Sequence, residues 1–283
     1  MNINTVGIIG AGTMGNGIAQ VVAAAGLAVV VVDISDEAVA RGLRTVDGNL
    51  ERLVKKEKLS AADKAAVLGR IKGTTQYADL AAADLVIEAA TENETLKLRI
   101  LGEVGAIVGP KTIIATNTSS ISVTKLAAAS KRGDRFIGMH FFNPVPVMAL
   151  VELIRGLQTS DETHARVEAF TRVVGKTPIN AKNSPGFLVN RILCPMINEA
   201  IFALQEGLGT ADDIDTAMRL GCNHPIGPLA LADLIGLDTM LSVMEVLYEG
   251  FGDSKYRPAG LLKEMVDAGY LGRKAGRGFF NYA

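Results

Sequence analysis

The chain opens with a short unbroken apolar run, Val6-Gly-Ile-Ile, that ends in glycines, and a second apolar run over 27–32 follows a segment of helical character over 17–26. Short apolar runs bounded by glycine read as strands buried on both faces, whereas apolar residues three and four apart read as helices with one face inward. By these signals 36–58 and 60–72 are amphipathic helices, with Ser60 and Asp63 placed to cap the second. Strands follow over 85–89, 112–117 and 136–142, separated by helices over 96–108 and 123–129, and two more strands, 150–154 and 177–181, flank a helix starting near Ser160. This alternation predicts an α/β fold, a doubly wound Rossmann-type sheet with ligands at the carboxyl ends of its strands. The pair of helices over 36–72 exceeds a minimal crossover and reads as a helical hairpin insertion, with Arg52, Lys55, Lys56 and Lys58 near one end.

At Ser184-Pro-Gly the pattern changes and strand signals stop. Pro185 falls where a first helical position belongs, and Leu188, Ile192, Met196, Ala200 and Leu204 keep one apolar face in register over 187–207. Thr210 with Asp213 caps another helix, 229–248 reads as a long apolar helix and 258–268 as a shorter one. The expected organisation is therefore a sheet domain over 1–184 followed by an all-α C-terminal domain over 185–283. Met240, Met244 and Leu247 form a stripe with two readings, a helix contact between two copies of the chain or the filling of the domain's own core.

The first turn carries the strongest chemical signal. Gly10-Ala11-Gly12-Thr13-Met14-Gly15 joins a strand to a helix, and Asp33 closes the next strand. Gly10 permits the tight turn, Gly12 lets the backbone approach a pyrophosphate, and Gly15 lets the helix pack on the sheet with its amides toward the phosphates. Asp33 can accept hydrogen bonds from an adenosine ribose hydroxyl, whereas a 2′-phosphate would require a cation there. Like charges about 4 Å apart repel by about 4 kcal/mol at an effective dielectric near 20, which favours NAD over its phosphorylated form. Arg41, the nearest cation, is expected too far along the following helix to reverse this.

Composition removes several alternatives. The 283 residues are 48% apolar with a net charge of −1, which leaves no basic excess for nucleic acid or an anionic membrane. The stretch 18–32 is broken by Gln20 and Gly26 and no charged segment precedes it, so neither a spanning helix nor a signal peptide is expected. Cys194 and Cys222 lack a CxxC or a spaced histidine, which points to idle thiols in a reducing, cytoplasmic setting and to no metal site.

His140 stands near the carboxyl end of a strand, and Glu152 interrupts an otherwise apolar stretch. A carboxylate among apolar neighbours is expensive unless paired, and a histidine is a natural partner that can shuttle the proton accompanying a hydride transfer. A structural histidine and an outward-facing glutamate are the bland readings; beside a dinucleotide site the dyad is preferred. His164 reads as solvated on a polar helix, and His224 as the lock of a turn. Asn117-Thr118-Ser119-Ser120 ends a strand at the same edge, where a hydroxyl can donate to a substrate oxygen or simply cap the next helix. Asn190, in the first turns of the domain-joining helix, is placed to reach across an interdomain cleft; alone, it equally fits a helix surface.

These motifs, with Glu88-Ala-Ala-Thr-Glu92, Lys97, Met139-His-Phe-Phe-Asn-Pro, Asn183-Ser-Pro-Gly-Phe-Leu-Val-Asn-Arg, His224-Pro-Ile-Gly-Pro and Gly272-Arg-Lys-Ala-Gly-Arg-Gly-Phe, occur in family order. The chain resembles the L-3-hydroxyacyl-CoA dehydrogenases from end to end, most closely their short-chain members acting on 3-hydroxybutyryl-CoA. The resemblance implies reversible oxidation of an (S)-3-hydroxyacyl-CoA to the 3-oxoacyl-CoA with NAD. It implies His140 as general base, Glu152 as its orienting partner, and Ser119 and Asn190 as holders of the substrate oxygens. It also implies Glu92, Lys97, Asn117, Ser119, Asn143 and Lys274 as cofactor-lining residues. By pattern alone Glu92 and Lys97 are surface charges. Asn49 and Lys56 match positions that touch the coenzyme A nucleotide, while Lys55 and Lys58 equally suit a solvated face. A homodimer through the helical domain and a stand-alone enzyme without a fused hydratase are further implications.

Two rivals remain at this stage. One is a two-domain β-hydroxyacid dehydrogenase that uses a lysine as acid/base, against which the domain entry offers Asn190 and no lysine. The other is an NAD-binding structural or sensor protein that has kept the fold, against which the intact His140 and Glu152 weigh.

Overall fold

The computed structural model describes residues 3–282. The chain divides into two compact units, Met1–Asn183 and Ser184–Ala283. In the first, strands β1 (Thr5–Ile9), β2 (Ala28–Val32), β3 (Ile71–Thr74), β4 (Leu85–Glu88), β5 (Ile113–Thr116), β6 (Phe136–Phe141), β7 (Leu150–Arg155) and β8 (Thr177–Lys182) form one sheet in the order β3-β2-β1-β4-β5-β6-β7-β8. Every pairing is parallel except β6 with β7. Strand order reverses between β1 and β4, which opens the crevice where a doubly wound sheet receives its ligands.

The helices of this unit are α1 (Thr13–Ala24), α2 (Asp36–Lys55), α3 (Ala61–Gly69), α4 (Glu94–Ile107), α5 (Val123–Ser130) and α6 (Asp161–Val173). Serine hydroxyls accept from the third following residue at the starts of α2, α3, α5 and α6, and Ser60 also donates to Asp63. β4 and β5 are buried along their whole length, because a parallel strand here is covered on both faces. Each fully buried Ile, Leu or Val contributes roughly 1.5–3 kcal/mol relative to exposure.

Three expectations need correction in this unit. Helix α1 begins at Thr13 rather than near residue 17, so Gly15 lies inside it; a Cβ there would strike the Gly10 carbonyl oxygen at 1.7 Å. Helix α2 stops at Lys55, three residues before the expected end, and Glu57 follows with φ +56°. The segment expected as helix over 60–72 ends at Gly69, and Ile71–Thr74 becomes an edge strand beside β2. Gly73 fits under α2 there, where a Cβ would meet Val39 at 2.3 Å.

The second unit contains α7 (Val189–Gln205), α8 (Ala211–Gly221), α9 (Pro228–Ile235), α10 (Leu237–Phe251) and α11 (Gly260–Asp267). Its core is apolar and includes Ile197, Ile201, Leu229, Met240, Met244 and Leu247, so the methionine stripe fills the unit's own interior rather than offering a contact face. Helix α7 starts at Val189, not at Pro185; residues 184–187 form a turn with Gly186 at φ +70° and Phe187 at φ +48°. The buried face of α7 is not the expected one: none of Leu188, Ile192, Met196, Ala200 and Leu204 is buried, Ile192 being 64% exposed, whereas Ile197 and Ile201 are. The single long helix over 229–248 is two helices, broken at Gly236, whose φ of +102° suits glycine alone among common residues. Thr210 and Asp213 form a reciprocal capping box on α8, as their spacing indicated. No helix among the described residues is long and apolar enough to cross a membrane.

Candidate active site

At the reversal of strand order, Gly10 turns out of β1 with φ +96°, and a Cβ on it would lie 2.6 Å from the Ala89 carbonyl after β4. Gly12 differs: a Cβ there would meet nothing within 4 Å, because the residue faces a cavity of about 320 Å³. The N-terminus of α1 carries no side-chain cap and no acidic residue in its first turn, a donor-rich end suited to a pyrophosphate. The Asp33 carboxylate accepts from Ala11 N (2.6 Å) and Ile34 N (2.7 Å), which fixes its orientation at the end of β2. Thr13, Arg41, Gly42, Asn49 and Asn143 also line the cavity. Arg41 therefore lies closer to the glycine turn than its place along α2 had suggested. The residues present fit a dinucleotide: room at Gly12, an anion-attracting helix start and a fixed carboxylate after the second strand.

The antiparallel register places His140 of β6 directly opposite Glu152 of β7, on one face of the sheet. His140 Nδ1 and Glu152 Oε2 are 2.6 Å apart, with the carboxylate side chain fully buried and the imidazole 6% exposed. A proton on Nδ1 donates to the carboxylate and leaves the Nε2 lone pair on the other side of the ring. There the Ser119 hydroxyl lies 3.2 Å from Nε2, and the Phe142 ring packs against the imidazole with centroids 4.5 Å apart. The neighbouring Asn117 amide oxygen accepts from Phe141 N at 2.9 Å, tying the end of β5 to the end of β6.

Other candidates are placed more variously. Glu92, 44% exposed, accepts from Ser119 N at 2.8 Å. Lys97 is not the surface charge its pattern suggested: it is fully buried and donates to Glu88 Oε2 at 2.6 Å, with Glu92 Oε2 4.0 Å away. Asn49 donates to Gln20 Oε1 at 3.2 Å and accepts from Arg52, while Lys56 is exposed at the C-terminal cap of α2. In the second unit Asn190 is the second residue of α7 and half-buried. Lys274 there donates to both Asp238 oxygens at 2.6 Å. Partial burial alone would raise the Asp238 carboxyl, but the Lys274 ammonium and the Thr239 amide hold it below its usual range. His164 is not simply solvated, since its Nε2 lies 2.5 Å from Asn180 Oδ1. His224 sits in the turn before α9, its amide donating to Met218 O.

Sequence reasoning missed three residues around this centre. Asn16 donates to Gly12 O at 2.6 Å and lines the cavity. Glu88, fully buried, also accepts from Thr116 and from Ala90 N. Lys176 donates to Val145 O (2.6 Å) and Met148 O (2.8 Å), bracing the loop after His140, and burial pushes its ammonium below the usual lysine value. An acid inside an apolar strand was the available signal for Glu88; Lys176 stands in a polar turn and gave none.

The chain is similar to known proteins along its whole length. Residues 5–184 match the family "3-hydroxyacyl-CoA dehydrogenase, NAD binding domain", and residues 186–282 match its C-terminal domain. A 3-hydroxybutyryl-CoA dehydrogenase of Bradyrhizobium diazoefficiens is 53% identical, over 99% of this chain and 96% of its own. A probable 3-hydroxybutyryl-CoA dehydrogenase of Deinococcus radiodurans is 54% identical, over 98% and 99%. The crystal structure of (S)-3-hydroxybutyryl-CoA dehydrogenase from Ralstonia eutropha is 70% identical and superposes over 100% of both chains with a TM-score of 0.98.

Proposed function

Because the chain belongs to the 3-hydroxyacyl-CoA dehydrogenase family and is an NAD-dependent oxidoreductase, we propose that it interconverts (S)-3-hydroxybutyryl-CoA and acetoacetyl-CoA, with His140 as acid/base. The supporting observation is the line Glu152, His140, Ser119, which runs from a fully buried carboxylate to a hydroxyl at the carboxyl edge of the sheet.

In oxidation His140 Nε2 takes the C3 hydroxyl proton while Ser119 holds the same oxygen; in reduction the imidazolium returns it. Glu152 keeps Nδ1 protonated in the resting state and offsets the positive charge once Nε2 is protonated too, in a site too dry for water to do so. Bound NAD supplies the hydride acceptor for C3. Gly10, Gly12, Thr13, Met14 and Gly15 hold its pyrophosphate, and Asp33 its adenosine ribose, which excludes the 2′-phosphate. Glu92, Lys97, Asn117, Asn143 and Lys274 complete the cofactor surroundings, directly or, for Lys97, through its acidic partners. Asn190 steadies the substrate, and Asn49 with Lys56 meets the coenzyme A nucleotide, where an exposed ammonium suits a phosphate.

Initial rates with acetoacetyl-CoA, longer 3-oxoacyl-CoAs and free acetoacetate, each with NADH and NADPH, test this reading. The highest kcat/KM belongs to acetoacetyl-CoA with NADH; a preference for free acetoacetate, or NADH binding without any acyl-CoA turnover, removes it. We further infer a cytoplasmic homodimer joined through the helical unit. The unpaired thiols support the compartment, and exposed Ile192, Leu220 and Leu234 support the contact now that the methionine stripe is internal. Light scattering that gave one chain per particle would remove the dimer.

A further inference from the structure

One oxygen of Glu92 gathers three donors. Glu92 Oε1 accepts from Thr118 Oγ1 at 2.7 Å, from Ser119 N at 2.8 Å and from Ser120 Oγ at 2.9 Å. Glu92 belongs to the loop between β4 and α4, whereas its three partners belong to the loop between β5 and α5. The carboxylate therefore ties together two neighbouring loops at the carboxyl edge of the sheet.

The bond to Thr118 has a second effect. Thr118 Oγ1 accepts from Ile121 N at 3.0 Å and from Ser120 N at 3.3 Å, closing the turn that holds Ser119. A hydroxyl has one proton and two lone pairs, so directing the proton at Glu92 aims both lone pairs at those amides. Without the carboxylate the hydroxyl can rotate and the turn loses its orienting partner. Ser119 is the residue that suffers, since its Oγ has to stay near His140 Nε2, now 3.2 Å away. The buried Lys97 ammonium, held on Glu88 and 4.0 Å from the second Glu92 oxygen, attracts the carboxylate at the oxygen these donors do not use.

We propose that Glu92 is a positioning residue for the reaction, fixing Ser119 against His140 through the Thr118–Ser120 turn, in addition to any contact with the cofactor. This rests on the roles given above to Ser119 and His140, and the test separates the two ideas. Hydrogen exchange over 117–123, which needs no turnover, is compared in the wild type, Glu92→Ala and Glu92→Gln. Exchange rises at least tenfold in Glu92→Ala, and Glu92→Gln, which keeps an acceptor oxygen, restores most of the protection. Unaltered exchange in Glu92→Ala overturns the clamp whatever the enzyme does with acyl-CoA. In the second arm Glu92→Ala lowers kcat for acetoacetyl-CoA ten- to a hundredfold at NADH concentrations that saturate each variant. In a Ser119→Ala background the same substitution costs less than threefold more. A loss of equal size in both backgrounds, or a loss confined to NADH affinity, shows that Glu92 does not act through Ser119 and overturns the proposal.

Discussion

The two units bury polar side chains for different ends. In the helical unit the buried Asp215, Asp233 and Asn198 are spent mainly on the main chain, Asp233 also accepting from the Tyr282 hydroxyl. Asp215 accepts from Leu229 N and Ala230 N at the start of α9, Asp233 from Phe279 N and Phe280 N, and Asn198 bridges Arg257 O and Ala259 N. In the sheet unit many buried polar side chains do the same, Lys176 and Thr112 among them, but others meet one another, as Glu88 with Lys97 and Thr116, and Glu152 with His140. The first arrangement satisfies orphaned amides and ends there. The second leaves a line of titratable atoms that finishes at a hydroxyl on the sheet edge. Burial of a charge is thus a weak indicator of chemistry by itself; what the charge is bonded to is the better guide.

The comparison breaks if a side chain of the second kind proves merely architectural. His140→Asn retains an amide donor within reach of Glu152 but has no proton acceptor of comparable basicity. We expect a fall in kcat of roughly 10²- to 10⁴-fold with NADH affinity and circular dichroism retained; undiminished turnover would falsify the assignment. The converse case is Asp215→Ala, which strips two amides of their acceptor. It should lower stability in urea by roughly 2–3 kcal/mol while kcat at 25 °C moves less than about twofold. A large kcat loss without destabilisation would place Asp215 with the chemical residues instead.

The cysteines give a smaller, sharper contrast within the helical unit. Burial raises the Cys194 thiol to about 12, so its thiolate is negligible at pH 8, whereas Cys222 is exposed. A native thiol titration at pH 8 should count one reactive group per chain and two in denaturant. Raising the pH toward 12 increases the thiolate fraction of Cys194, and fast modification of both thiols at pH 8 in the folded enzyme would contradict its enclosure.

Much of this was legible in sequence because some residues can be read from cost alone. Glu152 stood among apolar neighbours where only a partner makes a carboxylate tolerable, and the glycines of the first turn have narrow steric reasons to exist. Other features depend on what lies across the fold. Ile71-Lys-Gly-Thr is too short and polar to announce a strand, and it becomes one because β2 offers it a ladder. Gly236 sits inside an apolar helical pattern, and only its backbone conformation reveals the break. Lys97 reads as solvated because a helix pattern does not disclose that Glu88 waits beneath it.

The antiparallel pairing of β6 with β7 has an engineering consequence. Because alternate residues face opposite sides, deleting one residue inside either strand would swing His140 or Glu152 through the sheet, whereas the joining segment between Phe141 and Leu150 can change length while the ladder stays in step. The sheet therefore works as a ruler for the proton-transfer pair, and a change of length should be refused inside either of the strands that set its register.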